Sequence, residues 1–176
     1  CALGLATPMS VMVGVGKAAE AGVLIRNGEA LQTASKITAM ILDKTGTITL
    51  GQPKVTDIIL ASDLSEEQVL QLAASLESGS EHPLAMAIID SAGDRGLELD
   101  PAGDFNAVAG KGIEGSVNGR RLLFGNEKLM SGSQIDCTDY LSAATELAAQ
   151  AKTPMFFAVE GRLAAVIAVA DPIKDD

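Results

Sequence analysis

The sequence predicts an α/β protein, and three observations support this fold class. Residues 37–42 are apolar and rich in β-branched side chains up to Asp43, as expected of a strand buried on both faces of a parallel sheet. A Gly-Gln-Pro break at 51–53 then ends this pattern. Beyond the break, amphipathic helices alternate with strands that are joined by two-residue turns. We therefore predict part of a parallel-sheet domain that carries an inserted α+β domain.

The first 16 residues are mostly apolar and precede any charged side chain. This run is shorter than the roughly 20 residues that a membrane-spanning helix needs, and it lacks the basic leading segment of a signal peptide. A buried core helix is one interpretation, and the second half of a transmembrane helix is the favoured one. Residues 17–21 then predict a helical extension closed by Gly22, followed by a strand at 23–25, a turn at Gly28 and another helix that ends at about Ser35.

The region after the break begins with a predicted strand at 54–60 and two predicted helices. Ser65 and Gln68 fit the capping box of the first helix, because their side chains can each bond the backbone of the other. The second helix follows Pro83, a residue that suits the first helical position.

Two short turns predict hairpins in the rest of the chain. Asn118-Gly119 and Glu160-Gly161 each lie between two apolar segments, and such pairs favour the backbone conformation of tight hairpins. The predicted elements are strands at 113–117 and 120–124, a helix at 139–151, and strands at 155–159 and 163–170.

Charge and cysteine content exclude two classes of protein. With 13 basic and 23 acidic residues the formal net charge is -10, so no basic surface is available to neutralise nucleic-acid phosphates. We therefore expect no nucleic-acid partner. The two cysteines, Cys1 and Cys137, are too few for a disulfide framework and are compatible with a reducing compartment.

Residues 43–49, Asp-Lys-Thr-Gly-Thr-Ile-Thr, combine the groups that phosphoryl transfer needs. Asp43 would stand at the carboxyl end of the preceding strand, where open α/β sheets bind ligands. A carboxylate there can attack a phosphoryl group and carry it as an aspartyl phosphate. Lys44, the hydroxyls and the backbone N–H groups around Gly46 can offset the charge of the transferring group.

This segment resembles the phosphorylation motif of the P-type ATPases, ion pumps whose phosphorylation domain has the haloacid dehalogenase fold. The resemblance implies a partial haloacid-dehalogenase-like, Rossmann-like domain with an inserted α+β nucleotide-binding domain. It implies that Asp43 is the nucleophile and that Lys44 and Thr47 position the phosphoryl group. It also implies that Mg2+ binds Asp43 and the backbone carbonyl of Thr45. Phosphatases of this fold usually have a second Asp where this chain has Thr45, which argues against a simple phosphatase.

The single histidine, His82, lies in the segment Ser-Glu-His-Pro-Leu at 80–84. A lone histidine ahead of a helix is most often a cap or a surface residue. The segment nevertheless resembles the nucleotide-domain signature of heavy-metal pumps, which implies that the His82 imidazole faces the adenine ring. Glu77 matches the adenine-reading carboxylate of that family, whereas Glu81 is expected to support the local geometry.

Residues 110–115, Gly-Lys-Gly-Ile-Glu-Gly, have the spacing of a dinucleotide-binding loop but lead into a strand where such a loop requires a helix. The resemblance instead implies that Gly110 and Gly112 let the backbone approach the nucleotide closely. It also implies a further nucleotide-site pair at Gly125 and Asn126. A structural turn is the alternative for each glycine.

Residues 1–8, Cys-Ala-Leu-Gly-Leu-Ala-Thr-Pro, resemble the end of the Cys-Pro-Cys membrane helix in copper- and silver-exporting pumps. This implies that Cys1 is a thiolate ligand of the transported Cu+ or Ag+. Zinc and cadmium pumps usually differ at these positions, and they remain the alternative. Met9 and Met12 offer thioether ligands, but packing roles are the more common use of such residues.

Asp171-Pro172-Ile173-Lys174 resembles the hinge by which the nucleotide domain of the family returns, so Asp171, Pro172 and Lys174 are expected hinge residues. The family then continues with segments whose aspartates hold Mg2+, and this sequence does not contain them. The predicted domains are the end of a metal-site helix at 1–16, the first part of a phosphorylation domain at 17–50, a nucleotide-binding domain at 51–170 and the returning hinge at 171–176.

The resemblance as a whole implies ATP-driven export of Cu+ or Ag+ through an aspartyl phosphate, with this chain as a fragment that does not turn over by itself. ATP and Mg2+ are the implied cofactors. Membrane lipid and a metallochaperone are the implied partners, in a bacterial inner or plasma membrane with the phosphorylation and nucleotide domains in the cytoplasm. The alternatives are a nonenzymatic ATP-binding module, a pump for zinc or cadmium, and a haloacid-dehalogenase-type phosphatase.

Overall fold

The computed structural model describes residues 2–80 and 82–174. The chain divides into two compact units, of which the first ends at Leu42 and the second begins at Asp43. Cys1 and Glu81 lie outside the described residues, so the metal-ligand role of Cys1 and the supporting role of Glu81 stay predictions.

The first unit contains two helices, α1 (Ala2–Glu20) and α2 (Gly28–Ala34). Gly22 has a positive φ of 77°, which terminates α1 as its sequence position predicted. The Asn27 side chain accepts a 2.8 Å hydrogen bond from the Ala30 N–H and so caps α2. Within the residues that the structure describes, no helix has the combined length and apolar character of a membrane span.

The two strands predicted in this unit are absent. Residues 23–25 and 37–42 are not in β-strands, and Ile41 is 99% exposed where a buried strand was expected. A parallel strand is stable only when neighbouring strands satisfy its backbone N–H and C=O groups and cover its side chains. No described residue pairs with either segment, so the prediction of a buried parallel strand ahead of Asp43 is wrong for this chain.

The second unit is built on a six-stranded antiparallel sheet with the strand order β1-β6-β5-β4-β3-β2. Every connection between successive strands therefore joins sheet neighbours except the one from β1 to β2, which lie at opposite edges of the sheet. The strands are β1 (Lys54–Leu60), β2 (Ala102–Val108), β3 (Gly112–Val117), β4 (Arg120–Gly125), β5 (Thr153–Val159) and β6 (Arg162–Ala170). The predicted antiparallel α+β region is confirmed.

Four helices cover the two faces of this sheet. On one face α3 (Glu66–Glu77) and α4 (Pro83–Asp94) pack together; on the other lie α5 (Glu127–Gly132) and α6 (Leu141–Ala149), the latter after a 3-10 turn at Thr138–Tyr140. The central strands send alternate side chains to the two faces, because side chains of a strand point in alternating directions. Phe124 and Phe157 meet on the α3–α4 side with ring centroids 5.8 Å apart, whereas Leu123 belongs to the core on the other side.

Local signals account for the ends of these elements. Both bonds of the predicted capping box form at the start of α3, between Ser65 and Gln68. In the two predicted hairpin turns, Asn118-Gly119 and Glu160-Gly161, all four residues have positive φ. That conformation matches the right-handed twist of the flanking strands, so both hairpins are confirmed.

Candidate functional site

A cavity of about 720 Å³ lies where the end of α3, the start of α4 and the β2–β3 turn meet the ends of β4 and β5. Its size is that of a typical small-molecule site. All six residues of the predicted nucleotide site line it: Glu77, His82, Gly110, Gly112, Gly125 and Asn126. The fold thus brings together residues up to 49 positions apart in sequence, the separation of Glu77 and Asn126.

Glu77, the last residue of α3, is a buried carboxylate at this cavity. Only 6% of the residue is exposed, and its Oε2 atom has no hydrogen-bond partner among the described residues. Burial raises the pKa of the Glu77 carboxyl above its ordinary value, and the hydroxyl of Ser80 offsets part of this effect. An unpartnered buried acceptor is costly for the folded protein. Glu77 is therefore suited to receive a hydrogen bond from a ligand donor such as an exocyclic amine.

The burial of Glu77 predicts that Glu77→Gln stabilises the unliganded protein at pH 7, by on the order of 1 kcal/mol, because a neutral amide is less costly to bury than a charge. A carboxyl with a raised pKa favours folding below the unfolded-state pKa of about 4.3, and this contribution is lost as the pH rises through the folded-state pKa. The advantage of Glu77→Gln should therefore shrink as the pH falls towards 4. Urea unfolding at several pH values measures it, and equal stabilities at pH 7 would contradict the argument.

His82 is the N-cap of α4. Its Nδ1 atom accepts a 3.2 Å hydrogen bond from the Leu84 N–H, and Pro83 occupies the first turn of the helix as predicted. The residue is exposed and lines the cavity. The capping bond uses only one ring nitrogen in the plane of the imidazole, so a face of the ring remains available to a ligand. The cap interpretation and the binding interpretation of His82 are thus compatible.

Gly112 and Gly125 face each other as register partners in β3 and β4. Gly112 has a φ of 145°, and a Cβ atom there would overlap the Phe124 carbonyl oxygen and come within 2.5 Å of the Gly125 Cα. A Cβ on Gly125 would in turn lie 2.8 Å from the Gly112 Cα. This pair allows the close approach of two strands. Gly110 differs, because its φ is 70° and its missing Cβ would meet no atom within 4 Å, which leaves space for a ligand.

Asn126 forms hydrogen bonds that connect the start of α5 to the 110–112 turn. Its Oδ1 caps α5 by accepting from the Leu129 N–H at 3.2 Å, and its Nδ2 donates to the Gly110 carbonyl oxygen at 2.9 Å. Its backbone N–H donates to the Lys111 carbonyl oxygen at 2.8 Å. Both polar atoms of the Asn126 side chain thus bond to the protein's own backbone. Asn126 therefore positions the 110–112 turn at the cavity.

The apolar walls of this cavity were not predicted from sequence. Phe105 of β2 and Met155 of β5 line it together with Leu84. Gly79 lies beneath the Phe105 ring, since a Cβ at Gly79 would come 3.1 Å from the Phe105 Cδ2. An aromatic and apolar lining suits a planar ring such as a nucleobase. The only sequence signal for Phe105 is that it is one of four phenylalanines in the chain.

The predicted phosphorylation residues Asp43, Lys44, Thr45 and Thr47 are exposed, and none of them lines the cavity. Residues Lys44–Ile48 form an irregular turn in which Gly46 has a φ of 75°. Thr49 closes this turn, because its N–H donates to the Lys44 carbonyl oxygen at 3.1 Å and its Oγ1 accepts from the Gly46 N–H at 3.3 Å. The motif is thus a compact, solvent-facing loop.

Asp171 binds the chain segment that follows this loop. Its carboxylate accepts hydrogen bonds from the Thr49 hydroxyl, from the Gly51 N–H at 3.1 Å and from the Gln52 N–H at 3.0 Å. Thr49 itself is 1% exposed. The predicted hinge residue Asp171 therefore joins the segments that enter and leave the six-stranded sheet, and Thr49 is a partner that the sequence analysis did not identify.

The other predicted hinge residues strengthen this junction. The Leu50 N–H donates to the Pro172 carbonyl oxygen at 2.8 Å, and the Lys174 N–H donates to the Ile48 carbonyl oxygen at 3.0 Å. The Lys174 Nζ donates to the Gly46 carbonyl oxygen at 2.9 Å, within the phosphorylation motif. The two chain segments that connect the motif with the sheet, one before β1 and one after β6, thus run side by side in antiparallel directions.

The residues predicted to hold Mg2+ supply only oxygen ligands. Asp43 offers an exposed carboxylate, and Mg2+ prefers carboxylate, carbonyl, water and phosphate oxygens. Across 2–80 and 82–174 no group of three or more His, Cys, Asp or Glu side chains is arranged to hold a metal ion. Asp43 and Thr45 therefore fit as part of a Mg2+ shell that phosphate oxygens and water complete.

Comparison with known proteins identifies the family of this chain. The model of the haloacid dehalogenase-like hydrolase family matches residues 37–176. The chain is 49% identical over 175 residues to copper-transporting ATPase 1 of Rhizobium meliloti, covering 99% of this chain and 21% of that protein. It is 45% identical over 174 residues to the silver exporting P-type ATPase of Salmonella typhimurium, again covering 99% and 21%. The chain thus spans about a fifth of the length of these relatives.

Two solved structures extend the similarity to the fold. A zinc-transporting PIB-type ATPase in the E2.Pi state is similar with a TM-score of 0.81 and 35% identity, covering 100% of this chain and 28% of that one. The N-domain of HMA6, a copper-transporting P-type ATPase, is similar with a TM-score of 0.57 and 30% identity over 68% of this chain and 99% of that one. The chain belongs to the haloacid dehalogenase-like hydrolase family and, within it, to the heavy-metal P-type ATPases.

Proposed function

We propose that this chain is the segment of an ATP-driven pump that carries the nucleophile and the nucleotide-binding domain, and that the whole protein exports Cu+ or Ag+. The observation that carries the proposal is the cavity that gathers Glu77, His82 and Gly110 around a buried, unpartnered carboxylate oxygen. An adenine offers its amine to that oxygen and its ring face to aromatic groups.

The proposed nucleotide-binding domain spans 51–170. It is supported by a sheet that begins at Lys54 and ends at Ala170, and by the Asp171 carboxylate that joins the two connecting segments. The first part of a phosphorylation domain at 17–50, the membrane-helix end at 1–16 and the hinge at 171–176 are the remaining proposed divisions. Two adjacent connections suit a domain that swings about them as a hinge.

In the proposed reaction, hinge closure brings the γ-phosphate of ATP to Asp43. One carboxylate oxygen of Asp43 forms a bond to the γ-phosphorus while the bond from that phosphorus to the bridging oxygen breaks, and ADP leaves. Lys44 and Thr47 orient the phosphoryl group. Asp43 and the Thr45 carbonyl would hold Mg2+, which would neutralise charge on the phosphates. Water later hydrolyses the aspartyl phosphate.

Copper or silver is the proposed cargo because the relatives with 45–49% identity carry those metals in their names. The zinc-transporting structure, at 35% identity, supports a zinc pump as a second candidate. Cys1 is the proposed ligand of the transported ion, and a soft thiolate favours Cu+ over Zn2+.

The whole protein is proposed to lie in a membrane with these domains in the cytoplasm, in contact with lipid and a metallochaperone. A nonenzymatic ATP-binding module describes the chain by itself, since Asp43 does not line the cavity.

The test of the nucleotide site is His82→Ala, which we expect to weaken ATP binding about tenfold, equivalent to roughly 1.4 kcal/mol of lost ring contact. His82→Asn is the matched variant, because an Asn side chain preserves the cap on α4 while removing the aromatic ring. Both variants should bind ATP equally weakly, whereas only the Ala variant should lose about 1 kcal/mol of stability. Calorimetric titration and thermal unfolding measure the two quantities. Full affinity in His82→Asn would show that His82 acts only as a cap.

A further inference from the structure

The cavity proposed to bind the nucleotide is lined by one acidic and one basic side chain. Of the described residues that line it, Glu77 is the only carboxylic acid and Lys111 the only lysine or arginine. Glu77 is buried in the cavity wall, whereas Lys111 is exposed on the β2–β3 turn at its rim. An anionic phosphate chain is repelled by the buried carboxylate and attracted by the exposed ammonium group. These charges would favour a nucleotide that places its base near Glu77 and its phosphates near Lys111.

The backbone of Lys111 is held firmly at this rim. Its N–H donates to the Val108 carbonyl oxygen at 2.9 Å, and its carbonyl oxygen accepts from the Asn126 N–H at 2.8 Å. The flanking Gly110 and Gly112 both have positive φ, a conformation that glycine adopts without steric cost. The Lys111 ammonium group forms no ion pair with any residue of 2–80 or 82–174. The hydrogen-bonded Lys111 backbone thus holds an ammonium group beside the cavity that forms no ion pair with the described residues.

The charge of the whole chain makes this cation important. A net charge of -10 creates a field that opposes the approach of a polyanion such as ATP. A local positive charge at the cavity counteracts that field over roughly the 8–10 Å that salt leaves unscreened under physiological conditions. Removal of the charge should therefore affect phosphorylated ligands selectively.

We propose that Lys111 is the residue by which this site distinguishes nucleotides from the free nucleoside, through contact of its ammonium group with the phosphate chain. The inference rests on the proposed function, because it assumes that the cavity binds adenine. It adds a specificity role for a residue that lies between the two glycines of the motif and that touches the ligand only at its phosphates.

The experiment compares the affinities of adenosine, AMP, ADP and ATP for the chain without Mg2+, in wild type, Lys111→Met and Lys111→Arg. Lys111→Met should weaken ATP binding about fivefold at low salt, the size expected for one exposed charge contact, and should leave adenosine binding unchanged. Lys111→Arg should retain most of the ATP affinity. Lys128→Met is the matched control, because Lys128 is exposed on α5 and does not line the cavity.

Two results would overturn the inference about Lys111. Equal losses for adenosine and ATP in Lys111→Met would indicate that the residue only shapes the turn. Unchanged ATP affinity, or a loss that does not diminish with added salt, would show that no charge contact exists. If wild type bound neither adenosine nor ATP, the proposed nucleotide site itself would fail, and this outcome is distinguishable from the other two.

Discussion

Asp43→Asn should abolish the phosphorylated intermediate in the full-length protein that contains this chain. An amide is a far poorer nucleophile than a carboxylate, so the attack on the γ-phosphate should not occur. The measurement is incubation with radiolabelled ATP and Mg2+, followed by acid precipitation and treatment with hydroxylamine, which releases phosphate from an aspartyl phosphate. Wild type should carry the acid-stable, hydroxylamine-labile label, and Asp43→Asn should carry none.

Two controls make this result specific to Asp43. Asp63→Asn changes another exposed aspartate of the second unit and should retain the label. ATP binding should survive in Asp43→Asn, because Asp43 does not line the nucleotide cavity. Label that persisted in Asp43→Asn would remove this residue from the mechanism.

The 176-residue chain alone should bind ATP and acquire almost no label. Its described residues contain no group of three side chains that could complete a metal site beside Asp43, and phosphoryl transfer needs a cation to neutralise the developing charge. Robust labelling of the isolated chain would show that Asp43, Lys44 and the Thr45 carbonyl suffice for this step.

Gly112→Ala should destabilise the second unit by about 3 kcal/mol or more, a large fraction of the 5–15 kcal/mol that stabilises a typical domain. The added methyl group would overlap the Phe124 carbonyl oxygen, and the strands β3 and β4 would have to separate there. Because Gly112 lines the cavity, ATP binding should be lost as well. Urea unfolding followed by circular dichroism measures the stability.

Gly93→Ala is the matched control for this prediction. Gly93 lies in α4, and a Cβ there would meet no atom within 4 Å. Gly93 is in the last turn of α4, where alanine is favoured over glycine by at most about 0.5–1 kcal/mol, so this variant should be at least as stable as wild type. A Gly112→Ala variant as stable as Gly93→Ala would show that the two strands do not require the close approach seen here.

Much of the local structure of the second unit could be predicted from sequence. The capping box at Ser65, the helix start at Pro83 and the turn at Asn118-Gly119 depend on interactions between residues only a few positions apart. Such signals are readable because the partners are adjacent in the chain. Neither the helix α5 nor the strand β2 was predicted, although the Asn126 cap is a local signal for the start of α5.

The failure at residues 37–42 has the opposite origin. An apolar, β-branched run indicates a buried strand only if other strands are present to pair with it, and no described residue does so. Composition reports the preference of a segment for burial. Whether the burial occurs depends on residues that are distant in sequence or belong to other segments.

By itself, the sequence placed Lys44, Gly46 and hydroxyl side chains beside the carboxylate of Asp43, and it predicted the antiparallel α+β region that follows. Only the tertiary structure decided that Glu77 is buried without a partner, that Phe105 forms a wall of the cavity and that Asp171 joins the two connections to the sheet. The physical reason is distance along the chain. Caps and turns are set by neighbours, whereas burial, pKa and cavity shape are set by the packing of elements that meet only after the sheet has formed.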